Sequence, residues 1–403
     1  MPFGTQQAGQ KRRSSLLTPF RRITSSGRFI AEIDGLRFIA ILSVFIFHLG
    51  GTVATNSPPE QISSIQTGSL KQIVNTLDIG VPLFFVISGF ILGLPFAEAA
   101  FKREKQVSLK RYFLRRVTRL EPPYVLCLLI SLGLKAFSGR GLAVHLPHLM
   151  ASMAYLHDAI FGYQSTITAV AWSLEIEVQF YILAPLFSLM FLIRNSCLRR
   201  VLLCVLIAVA IEISELTKTD LRLHLSVLGF AQFFLTGLLL IDSYLSFRLR
   251  SSWRWDVLSA LGWPLLILLR WKTPTLSAWI SPWLMFVLYA ACFAGVLFRG
   301  LLTHPVITTI GGMCYSIYLL HNQLIYGFAL ITRSVLPAST FALRLATQFL
   351  LIGPAVLLVA AAYFEIIERP CMRPDWPRLL MLALRRKSVA SINCAPVIEK
   401  THS

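Results

Sequence analysis

The chain alternates between long apolar runs and short polar connections, many of them basic. A helix needs about 20 apolar residues to cross the hydrocarbon core of a membrane, and ten runs reach or approach that length. They cover residues 34–54, 78–98, 122–138, 170–193, 201–217, 224–246, 257–271, 279–298, 306–331 and 343–366, of which the third, fifth and seventh are short. The pattern predicts an all-α integral membrane protein, a bundle of about ten transmembrane helices.

The two ends of the chain differ from this pattern. Residues 1–32 are basic and hold no apolar run of the length that a cleaved signal peptide needs. Residues 371–403 have a similar character. We therefore expect a disordered basic leader (1–32), one transmembrane domain (33–370) and a tail (371–403). The stretch 145–165 is a candidate re-entrant or interfacial helix.

Composition excludes a soluble protein. Hydrophobic residues make up 55% of the chain and charged residues only 14%, whereas soluble domains carry roughly 25% charged residues. The formal net charge of +19 would suggest a nucleic-acid partner for a soluble protein. Here the basic residues cluster between apolar runs, which favours a topological role, and we expect no nucleic-acid partner.

The distribution of lysine and arginine predicts the orientation. Ten spans place both termini on one side, and 28 of the 38 Lys and Arg residues then fall in the leader, the tail and the loops on that side. Nine lie on the opposite side. Because cytoplasmic loops are enriched in Lys and Arg, we expect both termini to be cytoplasmic.

Two ionisable residues interrupt the first apolar run. Arg37 and His48 are eleven residues apart, which on a helix is three turns plus about 20°, or roughly 16 Å along the axis. They would share a face, and ionisable residues within a span normally face the bundle interior or a wet cavity. Two simpler interpretations stay open, since Arg37 could reach the inner headgroups and His48 could be a hydrogen-bonded structural histidine.

Five motifs in order resemble the membrane acyltransferase 3 family. They are the Arg37 to His48 spacing, "FFVISGF" at 84–90, "RRVTRLEPPY" at 115–124, "WSLEIEVQFY" at 172–181 and "GGMCYSIYLLH" at 311–321. The likeness covers roughly residues 30–370. It implies an acyl-CoA-dependent O-acyltransferase of a bacterial cytoplasmic (inner) membrane, with acetyl as the commonest donor. It implies no metal cofactor.

The basic loop before the third run is the candidate donor site. On a helix, Arg115, Arg116 and Arg119 are neighbours, and guanidinium groups suit phosphate oxygens. The alternative is inner-leaflet binding and topology alone. The resemblance implies that acyl-CoA binds here. We expect Pro122 and Pro123 to break the helix where the chain re-enters the membrane.

The second and fourth runs carry further candidates. Glu177 matches the glutamate of the family and is expected to support His48 or to meet the acceptor hydroxyl; the alternative is a structural hydrogen bond. The neighbouring Glu175 has no role that the resemblance carries over. Ser88 and Gly89 favour close helix packing, although Ser88 could instead hydrogen-bond the thioester or pantetheine and is included among the donor-binding candidates.

Other polar residues are weaker candidates. Cys314, Tyr318 and His321 share a helix face, and His321 is expected to be structural or to line the substrate path. The histidines and Asp158 in 145–165 have an unconvincing spacing for a metal site.

The sequence thus predicts acyl transfer across a membrane, with His48 as the base and Glu177 in support; a relay through an acyl-histidine stays open as the alternative to direct transfer. Arg37, Arg115, Arg116, Arg119 and Ser88 are expected to hold acyl-CoA. The expected acceptor is a hydroxyl of a surface polysaccharide or lipid-linked glycan. Several alternatives stay open: a succinyl or longer acyl donor, a small glycosylated metabolite as acceptor, a separate extracytoplasmic transferase that completes the reaction, and a non-enzymatic transporter with a polar path.

Overall fold

The computed structural model describes residues 22, 29–136, 142–247, 249–332, 340–373 and 376. Most of the predicted leader and tail lie outside these residues, so their disorder stays a prediction. Within the described ranges the regular structure is helical. The prediction of an all-α integral membrane protein is confirmed, because several of these helices are long and apolar enough to cross a membrane.

The helices have the following bounds. In chain order they are α1 (Ala31–Thr55), α2 (Pro59–Thr67), α3 (Ser69–Asn75), α4 (Gly80–Lys102), α5 (Leu109–Ala136), α6 (Leu142–Met153), α7 (His157–Phe161), α8 (Ala171–Phe187), α9 (Ser196–Thr217), α10 (Leu221–His224), α11 (Val227–Ser246), α12 (Trp253–Lys272), α13 (Pro274–Ala294), α14 (Leu297–Leu302), α15 (Pro305–Gly312), α16 (Cys314–Thr332), α17 (Phe341–Tyr363) and α18 (Arg369–Cys371). A π-helical turn, Phe364–Glu368, links α17 to α18.

Each of the ten predicted runs overlaps one long helix. Seven helical segments of the described chain meet the length and hydropathy of a membrane span, and these segments contain α1, α4, α5, α8, α11, α13 and α17. The other three long helices, α9, α12 and α16, carry charged or polar residues inside their apolar stretches. The fold class is therefore established, and the number of ten crossings stays a prediction.

The expected helix break at the proline pair is wrong. α5 continues through Pro122 and Pro123 from the basic loop into the apolar run. Proline removes the hydrogen bond to the carbonyl four residues earlier, and the freed carbonyl of Thr118 accepts a hydrogen bond from the Trp376 indole at 2.9 Å. A neighbouring side chain thus satisfies the carbonyl that Pro122 leaves free, and the basic loop is continuous with a span.

α1 lies at the centre of the bundle. It packs against α4, α15, α16 and α17, while α4 packs against α11 on its other side. The α4–α11 contact is close because a Cβ at Gly89 would lie 2.1 Å from the carbonyl oxygen of Phe234. Small residues let helices approach in this way, so the packing role expected for the Ser88–Gly89 pair belongs to Gly89.

Ion pairs join helix ends that the ten-span alternation puts on the same side. Arg299 donates to Glu32 at 2.7 Å on the predicted cytoplasmic side. On the opposite side, Arg270 of α12 donates to Asp78 at 2.5 Å. These contacts are consistent with the alternation of the helices, although the side that faces the cytoplasm still rests on the distribution of basic residues.

The stretch 145–165 folds back into the protein. Its helices α6 and α7 pack against α5 and α8, and the Tyr124 hydroxyl donates to the Ser152 carbonyl oxygen at 3.0 Å. The backbone N–H groups of His157 and Asp158 donate to Glu175 at 3.1 and 3.0 Å. Glu175, to which the resemblance gave no role, therefore holds this segment against α8.

Candidate functional site

A basic cavity opens at the predicted cytoplasmic end of the bundle; we call it the inner cavity. It has a volume of about 810 Å³ and lies between α1, α4 and α5. Eight basic side chains line it, against two acidic ones: Arg22, Arg37, Lys105, Arg111, Arg115, Arg116, Arg119 and Arg373, against Asp34 and Glu98. Such a surplus of guanidinium groups suits a polyphosphate ligand.

The three loop arginines lie in this cavity in different positions. Arg115 lines only the inner cavity, whereas Arg116 and Arg119 also line a second, neighbouring cavity. The Nε atoms of Arg22 and Arg119 are buried and have no hydrogen-bond partner among the described residues. Because buried polar atoms are normally hydrogen-bonded, these donors are suited to an anionic ligand.

Arg37 is held by a neighbour on its own helix. Its Nη1 lies 2.5 Å from the carboxylate of Asp34, and the exposed fractions of the two side chains are 13% and 4%. Arg22 lies 3.5 Å from the same carboxylate. Asp34 therefore orients Arg37 toward the cavities and away from lipid. Asp34 was not among the predicted site residues, although an acidic residue three positions before an arginine in an apolar run was a visible signal.

A smaller cavity, the middle cavity, follows toward the centre of the membrane. Its volume is about 110 Å³, and Arg37, Arg116 and Arg119 form the wall that it shares with the inner cavity. The Ser88 hydroxyl donates to the Glu177 carboxylate at 2.7 Å inside it. The structure therefore brings the Glu177 carboxylate, the Ser88 hydroxyl and four guanidinium groups together here, the fourth being that of Arg22.

Glu368 is a second carboxylate in the wall of the middle cavity. It lies in the π-helical turn and accepts hydrogen bonds from the backbone N–H of Ser316 at 3.1 Å and from the Ser316 hydroxyl at 2.5 Å. π-helical turns frequently occur at functional sites. Glu368 was not among the predicted site residues, because it follows the last apolar run, where an acidic residue is usually exposed to solvent.

The third cavity, the outer cavity, opens at the predicted extracytoplasmic side. Its volume is about 560 Å³ and His48 lines it, together with Trp172, Tyr318 and several polar side chains. Arg37 and His48 thus both border cavities of the bundle. Arg37 lies between the inner and middle cavities, whereas His48 lines the outer cavity.

His48 lies against a second histidine. Its ring centroid is 5.0 Å from that of His321, with the two planes at 61°. Nδ1 of His321 lies 2.7 Å from the carbonyl oxygen of Tyr318. Since a carbonyl can only accept, we assign the proton of neutral His321 to Nδ1 and a free lone pair to Nε2. Nε2 is buried without a partner among the described residues.

Tyr318 separates the middle and outer cavities. Its side chain lines both, and its hydroxyl lies 2.5 Å from the hydroxyl of Ser173. His48 and Glu177 therefore stand on opposite sides of Tyr318. Among the contacts that the structure describes, Ser88 rather than His48 is hydrogen-bonded to Glu177. Direct support of His48 by Glu177 stays a prediction, and the observed neighbour of His48 is His321.

The histidines of 145–165 form a separate buried group beside α8. His148 and His157 lie 2.9 Å apart through their ring nitrogens. Burial lowers the pKa of His157, and burial raises the pKa of Asp158 to about 7. Among the described residues, no three His, Cys, Asp or Glu side chains are arranged to hold a metal ion.

Comparison with known proteins identifies the family. The model of the acyltransferase 3 family, described as an acyltransferase domain, matches residues 30–365. The match spans most of the chain, and the chain therefore belongs to this family. The resemblance inferred from the five motifs is confirmed. No solved structure matches the chain.

Several curated relatives are similar over a shorter stretch. The chain is 28% identical over 179 residues to the peptidoglycan O-acetyltransferase OatA of Listeria monocytogenes, which is 41% of this chain and 25% of that protein. It is equally similar to the putative peptidoglycan O-acetyltransferase YrhL of Bacillus subtilis, with 24% of that protein covered. A putative O-acetyltransferase of Staphylococcus aureus (strain COL) is 27% identical over 168 residues, 39% of this chain and 24% of that protein. The chain thus spans about a quarter of these relatives.

Proposed function

We propose that this multi-pass membrane protein moves an acyl group, in the first place acetyl, from cytoplasmic acyl-CoA to a hydroxyl of a surface polysaccharide or lipid-linked glycan. Acyl transfer follows from the family. The names of two relatives, peptidoglycan O-acetyltransferases, favour acetyl and a carbohydrate acceptor. Since these relatives are bacterial, we propose the bacterial cytoplasmic membrane as the location.

One observation carries the proposal: three cavities follow one another through the bundle and share walls. The inner and middle cavities share Arg37, Arg116 and Arg119. The middle and outer cavities share Val81 and Tyr318. A donor and an acceptor arriving from opposite sides would therefore meet near Val81 and Tyr318.

The inner cavity is suited to the nucleotide end of acyl-CoA. Its phosphates would lie among Arg115, Arg116 and Arg119, and Arg37 would guide the pantetheine arm into the middle cavity. Ser88 can hydrogen-bond the thioester there, provided that it releases Glu177. The basic surplus also supports the cytoplasmic orientation of this end, where CoA is present.

The outer cavity is suited to the acceptor. An imidazole nitrogen of His48 would take the proton of the acceptor hydroxyl as its oxygen attacks the thioester carbon. The carbon–sulfur bond breaks, the ester forms, and the proton passes to the CoA sulfur as the thiol leaves. His321 would hold His48 in position through its ring, and Glu177 would stabilise positive charge that develops on the path.

His48→Ala tests this assignment. General-base catalysis contributes about 10²- to 10⁴-fold, so release of the CoA thiol from acetyl-CoA by purified protein should fall by at least 100-fold. Acetyl-CoA affinity should change little, because the inner cavity does not contain His48. The surface glycan of cells that carry the variant should lose one ester.

His304→Ala is the matched control, since His304 is an exposed histidine at the start of α15. It should retain full thiol release. Unchanged thiol release in His48→Ala, with His304→Ala equally active, would refute the catalytic role. Transport of a solute without any thiol release would instead favour the transporter alternative.

A further inference from the structure

A fourth cavity, the lateral cleft, opens between α5 and α8 toward the side of the bundle. Its volume is about 190 Å³. Phe113, Val117 and Ile182 line it, and their exposed fractions are 36%, 53% and 63%. Exposed apolar side chains on spanning helices face lipid. The mouth of the cleft is therefore a hydrocarbon surface within the membrane.

The lateral cleft is continuous with the middle cavity. The two share Arg116, Leu120, Leu174, Glu177, Tyr181 and Tyr315. The Arg116 guanidinium lies 5.7 Å from the centre of the Tyr181 ring, and the Tyr112 hydroxyl donates to the Tyr181 carbonyl oxygen at 3.2 Å, which joins α5 to α8 beside the cleft. A chain that leaves the middle cavity at Glu177 can enter the cleft.

We propose that the lateral cleft binds the hydrocarbon chain of the donor, so that the protein accepts acyl-CoA esters longer than acetyl. This inference rests on the proposed function. Arg116 and Glu177 mark the end of the cleft that meets the middle cavity, Glu121 and Tyr155 are further polar side chains of its wall, and the exposed side chains of its lining are apolar. A ligand that fits both ends has a polar reacting group and an apolar tail, as an acyl thioester has.

The sizes of the cavities agree with this occupant. The middle cavity has about 110 Å³, and it must already hold the thioester and the end of the pantetheine arm. A longer tail therefore needs additional space, and the cleft supplies about 190 Å³ without passing Tyr318. Burying one methylene group is worth about fourfold in affinity, although a tail that already lies in detergent gains less.

The test compares acetyl-CoA with octanoyl-CoA on the full chain in detergent. We expect octanoyl-CoA to bind at least tenfold more tightly than acetyl-CoA by calorimetry, and to be turned over. Val178→Trp fills the cleft from α8, since Val178 lines the cleft and not the middle cavity. It should reduce the preference for octanoyl-CoA to less than threefold and leave acetyl-CoA affinity and turnover unchanged.

Two further variants complete the design. Val117→Trp fills the cleft from α5 and should act as Val178→Trp does, which keeps the test open if one of them fails to fold. Leu186→Trp places the same bulk on an exposed part of α8 outside the cleft and should behave as the wild type.

Each contrary result is distinguishable. Use of acetyl-CoA but not octanoyl-CoA by the wild type would overturn the inference and leave the proposed function intact. If both tryptophan variants keep the preference for octanoyl-CoA, the acyl tail binds elsewhere. If Val178→Trp displaces a bound phospholipid and the chain-length preference does not change, the cleft binds membrane lipid instead. Failure of every CoA ester, acetyl-CoA included, would refute the proposed function itself.

Discussion

Replacing Asp34 with asparagine tests whether its carboxylate holds Arg37 at the inner cavity. The amide has nearly the same size, but it leaves the guanidinium of Arg37 without the counter-ion that lies 2.5 Å away. Arg22, at 3.5 Å from the same carboxylate, loses its partner too. The variant therefore removes one negative charge from a cavity that already has a positive surplus.

The expected cost is large because both partners are mostly buried. Removing one member of a buried ion pair costs about 3–5 kcal/mol, since the other charge is left without compensation. Arg37 keeps an exposed fraction of 13%, and its contact with the open inner cavity argues for the lower end, about 3 kcal/mol. The melting temperature of the purified protein should fall by several degrees.

A double mutant separates the unpaired charge from other causes. Arg37→Met alone should cost less than Asp34→Asn, because Asp34 retains Arg22 as a partner. The double variant Asp34→Asn/Arg37→Met should be more stable than Asp34→Asn alone, since it removes the uncompensated guanidinium. The reasoning is refuted if the double variant melts at the same temperature as Asp34→Asn or below it.

Glu32→Gln supplies a matched control at the same end of α1. Its ion pair with Arg299 has the same chemistry, but the Arg299 side chain is 46% exposed. Exposed pairs contribute about 0–1 kcal/mol, so the melting temperature should hardly change. An equal loss of stability in Glu32→Gln and Asp34→Asn would mean that burial does not determine the effect.

Three further predictions concern the site and its surroundings. Arg115→Ala should weaken acetyl-CoA affinity about tenfold at unchanged kcat, as measured by steady-state kinetics. Arg116→Ala should lower the affinity and kcat, because Arg116, unlike Arg115, also lines the middle cavity. His321→Phe should lower kcat by about tenfold or more at unchanged acetyl-CoA affinity, and equal kcat values would exclude a role for His321 beside His48. Burial raises the pKa of Asp158 to about 7, above its usual value near 4. Between these two pH values the folded state keeps a proton that the unfolded chain releases. The contribution of Asp158 to the free energy of unfolding therefore falls as the pH rises from about 4 to 7. Asp158→Asn should therefore melt at a higher temperature than the wild type at pH 8, and this difference should be smaller at pH 5.

The sequence was informative about the helices because membrane solvation imposes a simple rule. A lipid-exposed backbone must satisfy its own hydrogen bonds, so apolar runs of sufficient length become helices. Each predicted run indeed overlaps a long helix. The expectation that failed was the helix break at Pro122 and Pro123. The helix continues there, and the Trp376 indole, from far along the chain, satisfies a freed carbonyl; such a partner has no local signature.

Part of the candidate site was also visible in the sequence. Arg37, Arg116, Arg119, Ser88 and Glu177 all line the middle cavity. They could be found because charged and small polar residues are conspicuous in apolar runs. Glu368 was missed because it lies near a helix end, where acidic residues are usual. Asp34 was missed although its spacing to Arg37 was visible, and only the packing shows that both carboxylates are buried.

The motifs of the sequence were enough to predict the family, and its apolar runs were enough to predict a helical membrane protein, because the composition of each segment reflects the solvent around it. The sequence also showed which polar residues lie within the apolar runs. The tertiary structure alone decided which of those groups meet. His48 lies against His321, Tyr318 lines two cavities, and α5 and α8 border a cleft with exposed apolar side chains. These are contacts between distant segments, and they depend on how helices rotate and approach one another, which local sequence does not specify.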